Sequence, residues 1–162
     1  HLAGCSNQTR AVALGGATPS RVNIMDYITI ASTGDASDFG DLTAIRAEHH
    51  GASSSTRGIA MGGNTGSYSN IIDYITIASA GDATDFGDLT EARGGGGSAN
   101  NETRALYAGG LKAYPSSAGN TFDIIDYVTI ASTGDAADFG DLIADRVEFA
   151  AMSNCAGGLQ GQ

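Results

Sequence analysis

The chain has 162 residues, 24 of them glycine, with 41% apolar content, no tryptophan and a formal net charge of −10 from 18 acidic and 8 basic residues. That balance argues against a nucleic-acid partner, which needs a Lys/Arg footprint on its phosphates, and against anionic membranes; no apolar run approaches the roughly 18 residues of a helical membrane span. The length suffices for one domain that buries about 70% of its unfolded surface, and the gathering of apolar residues into β-branched runs marks a folded chain rather than a disordered one.

In chain order, the small polar stretch before Thr9 predicts a short strand, seen more clearly in its second copy at residues 51–55. Residues 10–14 predict a second strand, which stops at Gly15-Gly16. Residues 24–32 place Asp26, Ile28 and Ile30 on one strand face and Tyr27, Thr29 and Ala31 on the other. β-Branched and aromatic side chains on both sides predict a strand covered on both faces. Residues 33–36 carry turn chemistry, and 38–42 return beside the preceding strand as a hairpin. No stretch of ten or more residues combines a helical period with caps, so the fold class expected is all-β with four strands per unit.

The pattern then recurs. Asp-Tyr-Ile/Val-Thr-Ile-Ala-Ser begins at Asp26, Asp73 and Asp126, and Thr-Arg stands at Thr9, Thr56 and Thr103. Gly-Gly pairs follow at Gly15, Gly62 and Gly109, and a closing arginine at Arg46, Arg93 and Arg146. These anchors divide a single repeat domain, 1–162, into units 1–45, 46–92 and 93–145, with 146–162 left over as the opening of a fourth copy. The third copy is six residues longer than the others between its Gly-Gly pair and its Asp-Tyr anchor, an insertion that contains Tyr114, Pro115 and Phe122. A fixed period means that each unit buries its apolar face against its neighbours, so function belongs to the array.

An Arg-x-x-x-His-Gly opening at Arg46, a strand ending in Gly-Gly, a strand with Asp-Tyr, a hairpin with Phe86 and a new arginine make a unit that resembles the kelch repeat, one blade of a β-propeller. Phe39, Phe86 and Phe139 stand where tryptophan is usual in that pattern. The wording Ile-Asp-Tyr-Ile-Thr-Ile-Ala-Ser-x-Gly-Asp-Ala-x-Asp-Phe-Gly-Asp-Leu also resembles repeat arrays in virion or tail-fibre proteins of aquatic bacteriophages. The resemblance implies a partial β-propeller, extracellular or virion placement, and a non-enzymatic structural protein that self-associates in a fibre or filament. The alternative function is a glycan- or protein-binding propeller module. Propellers close with four to eight blades, so three units imply a propeller completed by oligomerisation, an array extended by its tail strand, or a closed threefold β-prism or trefoil-like body. Residues 146–154 are expected to pair with the first unit, of the same chain or of a neighbour.

Several residues are candidates for chemistry or contact. Cys5 and Cys155 lie in equivalent opening segments at opposite ends and either clasp them in a disulfide or remain buried thiols. Asn7 and Asn101 head Asn-x-Thr sequons, read either as glycosylation sites or as polar turn residues. Asp35, Asp38 and Asp41, with their repeats, shape turns and cap backbone N–H groups, with a calcium site as the alternative. Tyr107, Tyr114 and Phe122 form the expected ligand or partner contact, because a surface where the copies differ has room for recognition. The anchors Asp26, Asp73 and Asp126 are expected to accept hydrogen bonds from Arg10, Arg57 and Arg104. The histidines lack ligand or catalytic spacing, and no cofactor or resident metal is expected.

Overall fold

The computed structural model describes residues 2–149; twelve strands form three antiparallel four-stranded sheets, with no helix among the described residues. Sheet I comprises β1 (Ala3–Ser6), β2 (Arg10–Ala17), β3 (Arg21–Thr29) and β4 (Ser37–Asp41). Sheet II comprises β5 (His50–Ser53), β6 (Arg57–Met61), β7 (Ile71–Thr76) and β8 (Thr84–Asp88), and sheet III β9 (Gly97–Asn100), β10 (Arg104–Ala108), β11 (Ile124–Thr129) and β12 (Ala137–Asp141). Within each sheet the strands pair in chain order as an up-and-down meander. The repeat thus becomes three sheets of one topology.

Each Gly-Gly pair has left-handed backbone: φ is 49° and 111° at Gly15 and Gly16, 64° and 113° at Gly62 and Gly63, and 63° and 102° at Gly109 and Gly110. Such angles suit glycine because it has no Cβ to clash. The pair ends β6 and β10, but β2 shifts register there and continues to Ala17, pairing with β3 beyond the expected stop. The second glycine donates its N–H to the carbonyl of the closing arginine, at 3.0 Å for Arg46, 2.9 Å for Arg93 and 2.8 Å for Arg146. The last strand of each sheet carries a β-bulge: Asp26 pairs with Asp38 and Met25 with Gly40, leaving Phe39 as the extra residue, and Phe86 and Phe139 repeat the arrangement. A bulge re-aims a side chain. Here the ring meets the edge of the tyrosine of the preceding strand, with centroids 5.9, 6.0 and 5.9 Å apart.

The core lies between sheets. Phe39, Leu42, Leu14 and Met25 of sheet I pack with Ala60, Ile75 and Ile77 of sheet II. Phe86, Leu89, Ile59 and Ile72 of sheet II pack with Ala105, Tyr107, Val128 and Ile130 of sheet III. Among the described residues the three sheets do not close on one another, which sets aside the prism or trefoil-like alternative for them. Nor is every Asp-Tyr strand covered on both faces as its composition predicts. Ile75 and Ile77 are 4% and 0% exposed, whereas their counterparts Ile28 and Ile30 are 44% and 51% exposed because, among the described residues, no sheet packs on that face of sheet I. Of the tail, residues 146–149 pack on sheet III, where Phe149 fills the space beside Gly97 and Gly109. Residues 150–154, the rest of the segment expected to pair with the first unit, lie outside the described residues.

Candidate functional site: the seam between sheets

The repeated polar residues converge on the two seams. Arg46, at the boundary between units I and II, sends its guanidinium into sheet II, where Nη2 donates to Asp73 Oδ2 at 2.9 Å and to the Ala60 carbonyl at 3.1 Å, and Nη1 to the Ile71 carbonyl at 2.8 Å. Both charged side chains are fully buried. Thr43 completes the carboxylate's shell: its hydroxyl donates to Oδ1 at 2.6 Å and its N–H to Oδ2 at 3.2 Å. Burial works against the charge on Arg46, and the Asp73 carboxylate opposes that effect. The second seam repeats the first, with Arg93 and Asp126 at 3.1 Å and the Thr90 hydroxyl and N–H at 2.7 and 3.0 Å. This corrects the expected pairing. Asp73 and Asp126 are held by Arg46 and Arg93, the boundary arginines that follow the preceding sheet, rather than by Arg57 and Arg104, and Asp26, which no such arginine reaches among the described residues, is exposed.

Arg10, Arg57 and Arg104 instead stack on Tyr27, Tyr74 and Tyr127, 4.6, 4.6 and 4.8 Å from the ring centroids. Two of them then reach over a seam, Arg10 Nη1 to the Ile77 carbonyl at 3.2 Å and Arg57 Nη1 to the Ile130 carbonyl at 3.0 Å. At the outer edge, Gly81 and Ala83 donate their N–H groups to the carbonyls of Phe39 and Asp41, at 2.6 and 2.8 Å. Gly134 and Ala136 do the same for Phe86 and Asp88, at 2.8 Å each. The turn aspartates bind across the same edge, Asp82 Oδ1 accepting from Asp41 N at 3.0 Å and Asp135 Oδ1 from Asp88 N at 3.1 Å. A side chain at Gly40 would lie 2.6 Å from the Gly81 carbonyl carbon, so the glycine in Asp-Phe-Gly-Asp is what allows the sheets to come this close. At the inner edge the Ser53 hydroxyl donates to Ser6 O at 2.9 Å and Ser98 Oγ to Gly51 O at 2.7 Å, while Asn100 Nδ2 donates to Ser53 O.

The remaining candidates fall as follows. Asp35, Asp38 and Asp41 do not gather into a metal-ligating cluster; among the described residues no three His, Cys, Asp or Glu side chains do. Asn7 Oδ1 accepts from Thr9 N, Thr9 Oγ1 and Arg10 N, and Asn101 repeats this with Thr103 and Arg104. In unit II the Ser54 hydroxyl takes the same place in the turn. Cys5 is a free, buried thiol whose pKa burial raises to about 12, and Cys155 lies outside the described residues. Tyr107 is fully buried, its hydroxyl accepting from Gly96 N at 3.2 Å, so the ring is not presented to a surface ligand. Tyr114 is exposed and lies 6.3 Å from the Tyr68 ring, while half-buried Phe122 sits beneath Arg93 and Lys112. His49 is buried with Nε2–H directed at Leu14 O, 3.0 Å away, a tautomer that suits the carbonyl acceptor. No family model matches the chain, and no curated protein is significantly similar to it.

Proposed function

We propose that the chain is a non-enzymatic structural repeat protein that self-associates as part of a virion fibre or an extracellular filament. The observation that carries this reading is where the repeated residues lie. Arg46, Thr43, Asp73, Asp82 and Phe39, and their counterparts Arg93, Thr90, Asp126, Asp135 and Phe86, serve cohesion between successive sheets. The likeness of the repeat wording to phage fibre arrays supports the same reading, and fold cohesion by identical seams is the economy of repeat proteins generally. Sedimentation velocity combined with negative-stain microscopy tests it: rings or fibres are the expected particles, and a monodisperse monomer at every concentration refutes it.

A second reading, a glycan- or protein-binding module, is favoured by one feature of the third-copy insertion. Exposed Tyr114 faces Tyr68, whose hydroxyl donates to Glu48 Oε2 at 3.1 Å, so an aromatic surface stands beside a carboxylate acceptor. Aromatic faces with nearby polar acceptors suit sugar rings. Binding on a glycan array that disappears with Tyr114→Ala would support this reading over the first.

A further inference from the structure

Sheet I and sheet III each present half of a seam. On sheet I the open face carries Asp26 without an arginine, and beside it an apolar groove of about 440 Å³ lined by residues that include Ala11, Ala13, Tyr27, Ile28 and Ala36. The counterparts of Ala11, Ala13, Ile28 and Ala36 in sheet III are Ala105, Tyr107, Val128 and Ala136, the residues against which Phe86 and Leu89 pack. On sheet III the opposite face carries Phe139, 52% exposed although Phe39 and Phe86 are each 2% exposed. Arg146 is exposed there too, although Arg46 and Arg93 are fully buried. One face is a socket and the other is the plug that fills that socket twice within the chain.

We infer that the Phe139–Arg146 face of sheet III docks on the Asp26–Ile28 face of sheet I in a second copy of this chain, reproducing the internal seam head to tail. The inference rests on the self-association reading above and names its interface. Arg146 takes the place of Arg46 against Asp26, and Phe139 and Leu142 enter the groove. The Gly34 and Ala36 N–H groups meet the Phe139 and Asp141 carbonyls, as Gly81 and Ala83 meet Phe39 and Asp41. Asp35 then accepts from Asp141 N, as Asp82 does from Asp41 N. Charge complementarity and continuity with two existing seams select a second copy over an unrelated partner.

The third seam differs from the other two at one position. Ile143, fully exposed, stands where Thr43 and Thr90 give a hydroxyl to the aspartate. The joint between chains therefore lacks one hydrogen bond to the buried carboxylate and opens more readily than the seams inside a chain. Because the two faces are different, the contact is heterologous and generates a ring if its rotation closes and a fibre if it does not. The net charge of −10 on each copy opposes association at low salt, so the joint tightens as ionic strength rises towards about 0.15 M, where charges beyond about 8 Å are screened.

The test is sedimentation velocity of the wild-type chain, Asp26→Arg, Arg146→Asp and an equal mixture of the two variants. Both residues are exposed in the single chain, so the melting temperature of each variant at high dilution is expected to match wild type. Wild type assembles; each variant alone sets like charges in the joint and raises Kd about 100-fold or more. The mixture restores assembly, because each head then meets a tail of opposite sign. Phe139→Ser also abolishes assembly without a charge change. Single variants that assemble like wild type would overturn this interface while leaving self-association standing. A mixture that fails to restore assembly would overturn the Arg146–Asp26 pairing. A wild-type chain that is monomeric at all concentrations would overturn both readings and leave these faces to flanking repeats of a longer polypeptide.

Discussion

Replacing Asp73 with alanine removes the carboxylate that Arg46 meets in its buried site. The guanidinium keeps its bonds to the Ile71 and Ala60 carbonyls, but its charge is left uncompensated at full burial, and the Thr43 hydroxyl loses its 2.6 Å acceptor. Breaking a buried pair by removing one partner costs about 3–5 kcal/mol, a large share of the 5–15 kcal/mol typical of a whole domain. With a urea m-value of about 1–3 kcal/mol/M, the unfolding midpoint should fall by at least about 1 M. The control is chemically identical: Asp26→Ala removes the same side chain from the same repeat position, but an exposed one without an arginine, and should change stability by no more than about 0.5 kcal/mol in dilute solution. Urea unfolding followed by far-ultraviolet circular dichroism reads both. Adding Arg46→Met to Asp73→Ala should recover part of the loss, since the lone buried charge is gone. Equal shifts for Asp26→Ala and Asp73→Ala, or a loss below about 1 kcal/mol for the latter, would refute the argument that the seam pair is what matters.

Phe86→Ala should destabilise the chain by about 3–5 kcal/mol through the cavity it leaves between sheets II and III, whereas Phe139→Ala in dilute solution should cost under about 1 kcal/mol; thermal melts compare them. His49 is buried, and desolvation, aided by the Arg46 charge, lowers its pKa to about 3 from 6.5. The unfolded chain thus takes up a proton that the fold does not, so this contribution is complete above about pH 6.5 and is lost as pH falls towards 3, by up to about 1.4 kcal/mol per unit; urea midpoints of wild type and a flatter His49→Gln profile check it. Gly51→Ala should cost about 1–3 kcal/mol or more, because the new methyl would fall inside van der Waals contact of the Gly4 carbonyl across the inner seam, and chemical denaturation measures it. Cys5 should resist iodoacetamide in the native protein and react after unfolding, as mass spectrometry of its peptide would show, since burial keeps the thiol protonated.

The meander was legible from local chemistry. Alternating β-branched residues, the turn wording after Ser32 and the Gly-Gly stops of the second and third copies each act within a few residues, and the repeat supplied three readings of every element, although β2 runs on through Gly15 and Gly16. What lay beyond the sequence was set by neighbours. Ile28 and Ile75 have the same local setting, and only the presence of a preceding sheet makes one buried and the other exposed. The arginine partner of Asp73 was missed for a related reason: strand pairing brings Arg57 into the same sheet, but its side chain stacks on Tyr74 and turns to the next seam, while Arg46 arrives from the link that follows sheet I. A signal was present in the recurrence of Thr43 with Arg46 and of Thr90 with Arg93, three residues apart, a pairing absent at Ile143 and Arg146. Tyr107 was readable as well. It aligns with Ala13 and Ala60, and a small residue at that place in the other copies marks a side chain turned into a seam rather than out to a ligand.

The direction of the Arg46–Asp73 bond has an evolutionary consequence. Counted as a sheet with the arginine that follows it, every module carries a cationic knob for its successor and an anionic slot for its predecessor, so in-frame duplication of one module introduces both halves of a new connection at once. Neither charge balance nor shape has to be reinvented when the array grows or shrinks. Genetic gain and loss of whole copies is thereby made tolerable, and length becomes a property that selection can adjust without disturbing how any single module folds.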